Sequence, residues 1–219
     1  VFGLVLLFLN TSFYKALSPD LDTQAEIWME LHQYNLAEKT LRLQLQSRPH
    51  DLETNFQYLQ AVFALAPYEQ PLAALEARYA TLLMSKETRA IGHWGKAWIF
   101  LHQGSPKAAI HRFAVIQNDG LEYTYLGVGL AHQMLGDWAA AEQAFLAELK
   151  FDSGNAFALR YLFAEYVKEE KWEAAQLLLK NYPTARSVVD RDDLPSTRCA
   201  VVGLVGPVTV VAGLLVHNV

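Results

Sequence analysis

Two similar phrases lie 34 residues apart in this chain, and they constrain its fold more than any other feature. The first phrase is LGDWAAAEQAF, residues 135–145, and the second is EEKWEAAQLLL, residues 169–179. In both, turn residues precede a Trp and an Ala follows the Trp three positions later, so that Trp and Ala share one face of a helix. Self-similarity at an interval of this length predicts a repeated structural unit.

Each phrase contains the second helix of a predicted helical hairpin. In the copy at residues 122–155, two apolar stripes with helical spacing flank a turn at residues 135–137. The copy at residues 156–183 repeats this plan, with its turn at residues 169–171. Small residues in the stripes let two helix backbones approach, and large residues fill the grooves between hairpins. Because one hairpin cannot bury its apolar face alone, several hairpins must stack.

The pattern resembles the tetratricopeptide repeat (TPR) family, whose unit is a helix–turn–helix hairpin. Three copies in this chain match well, and two earlier ones are degenerate. The resemblance implies an all-α fold, a right-handed superhelical array of about five hairpins over residues 19–185. We predict separately, from the apolar ends of the chain, that hydrophobic membrane segments flank this array. The positions that carry the resemblance are Tyr125, Gly129, Ala141, Phe145, Ala175 and Pro183.

Composition agrees with a helical protein and excludes some function classes. Leu and Ala are abundant, and β-branched residues are sparse before the last twenty positions. The formal charge is −5 and no long basic run occurs, so nucleic acid is not a predicted partner. Cys199 is the single cysteine, which excludes an internal disulfide.

Both ends of the chain are apolar and predict a membrane location. Residues 1–18 form a hydrophobic segment that is part of a transmembrane helix or of a signal sequence, and residues 186–198 form a charged linker. Residues 199–219 are predicted to be transmembrane, since the uncharged stretch 199–216 would reach about 27 Å as a helix. The alternative for this stretch is a buried Val-rich strand pair.

The orientation in the membrane stays open. Arg186, Arg191 and Arg198 precede the C-terminal apolar segment and favour a cytoplasmic repeat domain, but the opposite flanks needed for comparison are not visible. Both ends look cut, so we expect the chain to be a fragment of a longer membrane protein.

No arrangement of residues in the sequence predicts catalysis. None of the seven histidines forms an HExxH pair or accompanies a CxxC pair, and the GxG at residues 127–129 falls inside a predicted helix. We therefore predict no catalytic, metal-binding or cofactor-binding residues and no cofactor. The chain by itself is not expected to be an enzyme.

The predicted binding residues follow from the TPR resemblance, in which the first helices of the hairpins line a concave groove that holds a partner protein or peptide. The apolar character of this groove favours an apolar helix or peptide as the partner. Alternatively, Trp94, Trp98 and Phe157 pack between hairpins. The groove residues that the family register implies are Trp94, Trp98, His102, Tyr123, Leu126, Gln133, Phe157, Arg160 and Lys168.

These observations lead to two principal hypotheses of function. The first is a membrane-tethered TPR scaffold that binds a partner in its groove, in assembly of a membrane or envelope complex. The second is a soluble TPR region of a larger polytopic membrane enzyme, such as an intramembrane protease, whose catalytic part lies outside this chain. A tail-anchored helical adaptor is a third hypothesis. The sequence leaves the partner's identity and the oligomeric state open.

Overall fold

A computed structural model of the chain describes residues 20–65 and 69–183. Within these ranges the protein consists of ten α-helices and no strand, which confirms the predicted all-α class. The helices are α1 (Leu21–Glu30), α2 (Tyr34–Ser47), α3 (Leu52–Ala64), α4 (Glu69–Leu82), α5 (Arg89–His102), α6 (Pro106–Ile116), α7 (Thr124–Met134), α8 (Trp138–Phe151), α9 (Ala156–Lys168) and α10 (Trp172–Asn181).

The ten helices form five consecutive pairs, which we number hairpins 1 to 5. We call the first helix of each hairpin its A helix (α1, α3, α5, α7, α9) and the second its B helix (α2, α4, α6, α8, α10). Each helix packs against the next along the chain, and α5 also contacts the A helices of the hairpins on either side, α3 and α7. The predicted helical hairpins are therefore present, including the two that are degenerate in sequence.

The same turn closes four of the five hairpins. Its left-handed residue is His32, Gly104, Gly136 or Glu170, with φ between 55° and 75°. The following residue donates its backbone N–H to the carbonyl five positions earlier, at 2.8–3.0 Å. This is the Schellman motif, which satisfies carbonyls at a helix end and favours glycine at the left-handed position. The predicted turns at residues 135–137 and 169–171 are both of this type.

Short polar side chains begin several of the helices. The Asp137 carboxylate accepts the N–H of Ala140 at 3.2 Å at the start of α8, and the Asn155 side chain accepts that of Ala158 at 3.1 Å at the start of α9. These N-caps satisfy backbone donors that have no partner inside the helix. The left-handed residue of a turn and the N-cap of the next helix can thus be adjacent in the sequence, as Gly136 and Asp137 are.

Small residues on α7 allow aromatic rings to pack against the helix backbone on two sides. A Cβ at Gly127 would lie 2.2 Å from the Phe113 ring of α6, and one at Gly129 would lie 2.4 Å from the Phe145 ring of α8. Ala141 of α8 and Ala175 of α10 are both buried. The close-packing role predicted for Gly129, Ala141 and Ala175 therefore agrees with the structure.

The two Trp residues of the repeated phrase have different surroundings. Trp138 packs edge to face against Tyr166 of the next A helix, with ring centroids 6.5 Å apart. Trp172 lies at the start of α10, the last described helix, and is 56% exposed. Trp138 therefore packs on the next hairpin as expected of a large residue in the repeat, and a stacking role for Trp172 stays a prediction.

Among residues 20–65 and 69–183, no helix is both long and apolar enough to cross a membrane. The predicted membrane segments at residues 1–18 and 199–219, and the linker at residues 186–198, lie outside the described residues.

Candidate functional site

Equivalent positions on successive A helices can be identified from how each one packs on the B helix before it. A Cβ at Gly95 would lie 2.1 Å from the Tyr79 ring of α4, and a Cβ at Gly127 would lie 2.2 Å from the Phe113 ring of α6. In hairpin 5 this place is taken by Tyr161, whose ring stacks on a ring of α8 with centroids 5.3 Å apart. The predicted groove residues therefore occupy matching faces of α5, α7 and α9.

An aromatic cluster occupies that shared face, at the starts of α7 and α9 and in the middle of α5. Its central ring is Phe56 of α3, which is only 2% exposed. Four rings from three later hairpins lie within 4.0–6.3 Å of the Phe56 centroid. We define the aromatic cluster as Phe56, Trp94, Trp98, Tyr123 and Phe157. Because it joins α3 to the start of α9, this end of the predicted groove is filled by the protein's own side chains.

Two polar contacts fix the rim of the aromatic cluster. The Tyr123 hydroxyl donates a hydrogen bond to the carboxylate of Glu53, on the same helix as Phe56. The buried Trp94 indole donates from Nε1 to the Glu122 carbonyl at 2.9 Å. Burial and the adjacent Glu53 carboxylate raise the pKa of Tyr123 well above its usual range, so the phenol stays protonated and able to donate.

Glu148 of α8 holds the start of α7 in place beneath this cluster. Its carboxylate is buried and accepts the backbone N–H groups of Tyr123 at 3.1 Å and Leu126 at 3.0 Å. It also accepts from Asn155 Nδ2 at 3.1 Å, which links α7 to the N-cap of α9. Burial raises the pKa of Glu148, although the backbone hydrogen bonds oppose this shift. The result is that one side chain sets the position of Tyr123.

The C-terminal ends of the same A helices present a different surface. His102 ends α5 and stacks on Phe63 of α3, with ring centroids 4.2 Å apart and planes 2° from parallel. Burial lowers the pKa of His102, which favours the neutral ring. Gln133 near the end of α7 is half-buried, whereas Lys168 at the end of α9 is exposed and pairs with Glu165 at 2.9 Å.

The structure thus separates the predicted groove residues into two groups. Trp94, Trp98 and Leu126 are fully buried, which places them in packing between hairpins and away from any surface that a partner could contact. Only a small part of His102 is exposed. The residues that keep solvent-exposed surface are Tyr123, Gln133, Phe157, Arg160 and Lys168, and for them a binding role stays a prediction.

Sequence reasoning missed the residues at the centre of this arrangement. Phe56 and Glu53 belong to a degenerate copy followed by a long loop, and no local pattern indicates that they meet Tyr123. Glu148 did give a signal, since it is a carboxylate on an otherwise apolar helical stripe, where burial requires partners.

In the described ranges, no group of three or more His, Cys, Asp or Glu residues is arranged to hold a metal ion. No protein-family model matches the chain, and no curated protein matches it significantly. The TPR resemblance therefore rests on the repeated residues and stays a prediction.

Proposed function

We propose that the chain is a membrane-tethered scaffold of the TPR type, a right-handed superhelical array that binds a partner protein or peptide along its A helices. The repeated turn and the repeated packing of A helices on preceding B helices support this architecture. The apolar segments at residues 1–18 and 199–219 are the basis for the membrane tether.

One observation carries the proposed binding activity: a set of polar atoms on the A helices is buried without a hydrogen-bond partner among the described residues. These atoms are Gln133 Oε1 and Arg160 Nε, on two of the residues that keep solvent-exposed surface. Buried polar atoms without partners are few in folded proteins, and each costs free energy. An extended peptide offers both N–H and C=O groups, so its backbone could satisfy donors and acceptors of this kind.

The C-terminal ends of the A helices carry the one exposed residue of the site, Lys168, beside the half-buried Gln133. The aromatic cluster closes the N-terminal ends, whereas Gln133 and Lys168 remain accessible in the last turns of α7 and α9. A partner would therefore first contact the side of the array that carries Gln133 and Lys168. Deeper insertion would require the rings of the aromatic cluster to separate.

Site-specific photo-crosslinking tests this proposal in native membranes. We expect a photoreactive residue at position 133 or 168 to crosslink one and the same protein. The matched control is position 150, since Lys150 is an exposed lysine on the B helix α8. Equal crosslinking from position 150, or no crosslinked product from positions 133 and 168, would contradict binding along the A helices.

A further inference from the structure

Hairpin 3 differs from the rest of the chain in its charge. Residues 86–118 contain five Lys or Arg side chains and one Glu, although the whole chain has a formal charge of −5. The next segment, residues 119–153, contains six Asp or Glu and one Lys. Residues 86–118 thus have a net positive charge of five minus one, or four, and this local excess produces a positive potential on hairpin 3.

Part of this charge converges on one histidine. Arg89, His93 and Lys96 follow at intervals of four and three residues on α5, which places them along one stripe of the helix. From α6, Arg112 donates a hydrogen bond from Nη1 to His93 Nδ1 at 3.2 Å. Because a guanidinium can only donate, Nδ1 is the acceptor and the ring proton is on Nε2. His93 therefore keeps one N–H donor for another group.

The field at His93 is positive from both helices. Burial of the ring lowers its pKa most, followed by the charges of Arg112 and Arg89, with a smaller contribution from His111. Asp119 acts in the opposite direction but does not reverse the shift. Arg112 and Arg89 thus make the electrostatic potential at the His93 ring positive, which favours an anion there.

Asp119 is the described carboxylate that raises the pKa of His93, but it forms no ion pair with the cations around the ring. In other hairpins Arg42, Arg48 and Lys168 pair with a carboxylate, whereas described residues such as Lys150 and Arg160 do not. No described Asp or Glu forms an ion pair with Arg89, Lys96 or Arg112.

Two of these residues on α5, His93 and Lys96, also differ in type from the residues at the equivalent positions of hairpin 5. The positions of His93 and Lys96 correspond to Leu159 and Leu162 of α9, both of which are fully buried. Hairpin 3 therefore replaces apolar packing residues with a half-buried His and Lys. Local departures of this kind from a consistent pattern are expected at functional sites.

We propose that the α5–α6 face of hairpin 3 binds a phosphate group, through Arg89, His93, Lys96 and Arg112. Arginine side chains and an imidazole N–H match the several oxygens of a phosphate, and two or more positive charges balance its multiple negative charge. A single carboxylate would balance only one of these charges. The site lies on the stripe that faces α6, so it does not depend on partner binding at the exposed ends of the A helices.

The test uses the purified full chain and inorganic phosphate at constant ionic strength, with chloride in the reference sample. We expect saturable changes in the NMR signals of the His93 ring as phosphate is added. Arg112→Gln should raise the Kd for phosphate about tenfold or more, because it removes a charged hydrogen-bond donor. The matched control Lys150→Gln makes the same change of charge on α8 and should leave the Kd unchanged.

A parallel experiment distinguishes a free phosphate from a lipid headgroup. It measures binding to phosphatidylcholine vesicles with and without phosphatidic acid, for the wild type and for Arg112→Gln. A preference for phosphatidic acid that Arg112→Gln abolishes supports the proposal with lipid as the source, and free phosphate binding alone supports a soluble source. The proposal is wrong if neither probe binds in a saturable way, or if Lys150→Gln weakens binding as much as Arg112→Gln.

Discussion

Phe56 stacks face to face on Tyr123, with ring centroids 4.0 Å apart and planes 4° from parallel, although α4, α5 and α6 lie between them in the chain. The contact brings hairpin 2 to the start of hairpin 4, and Phe157 extends it to hairpin 5. In an array whose hairpins mainly contact their neighbours, such a long-range contact couples distant repeats. It also determines which end of the A helices is closed.

Phe56→Ala tests the energetic importance of the aromatic cluster. Phe56 is 2% exposed and touches four other rings, so its truncation should lower the free energy of unfolding by about 3–5 kcal/mol. Phe151→Ala is the matched control, since Phe151 is 50% exposed and should cost less than about 1 kcal/mol. Chemical denaturation measures both. Equal losses for the two variants would show that the cluster contributes no special stability.

The hydrogen bond between the Tyr123 hydroxyl and Glu53 gives a second test of the contact between α3 and the start of α7. Tyr123→Phe keeps the stacked ring and removes only the donor, so it should lower the free energy of unfolding by about 1–2 kcal/mol. In the double variant with Glu53→Ala, which removes the acceptor, the two losses should not add, because both changes remove the same interaction. Additive losses in denaturant titrations would mean that the two groups do not interact in solution.

The amino-acid sequence predicts the hairpins well because they depend on local features. Turn residues such as Gly136 and small residues such as Gly129 act within one or two hairpins, and their spacing is visible in the chain. The groove residues are different. The register shows which helix face Trp94 and Trp98 occupy, but not how closely that face approaches α3. Whether such a face lines an open groove or the core depends on the winding of the whole array, which no local pattern encodes.

Glu148→Ala tests the link between α8 and the start of α7. The change leaves the backbone N–H groups of Tyr123 and Leu126 and the Asn155 amide without their acceptor. Buried donors without acceptors cost free energy, so we expect a loss of about 3 kcal/mol in stability. Lys150→Ala, two residues further along α8 and exposed, should change it by about 0.5 kcal/mol or less. Thermal unfolding monitored by circular dichroism measures both, and similar midpoints would contradict the role assigned to Glu148.

His102 should make the stability of the fold depend on pH. Its pKa is lowered by burial, so the unfolded chain binds a proton at this residue more readily than the folded chain. The contribution of neutral His102 is therefore complete above the unfolded value of about 6.5 and is lost as the pH falls below it. His102→Phe keeps a ring against Phe63 and removes the titration. The variant should lose less stability than the wild type between pH 7 and pH 5, and an unchanged slope would contradict this account.

Glu170→Gly should stabilise the protein, although it removes a side chain. Glu170 has φ 55° at the left-handed position of its turn, where hairpins 3 and 4 use Gly104 and Gly136. A residue with a Cβ is strained in this conformation, and glycine is not, so we expect a gain of about 1 kcal/mol. The converse change, Gly136→Ala, should cost about the same amount. Because Gly136 has no heavy atom within 4 Å of an added Cβ, a loss there would reflect backbone strain alone. Unfolding midpoints in denaturant measure both changes, and a loss of stability in Glu170→Gly would show that the glutamate side chain contributes more than its backbone strain costs.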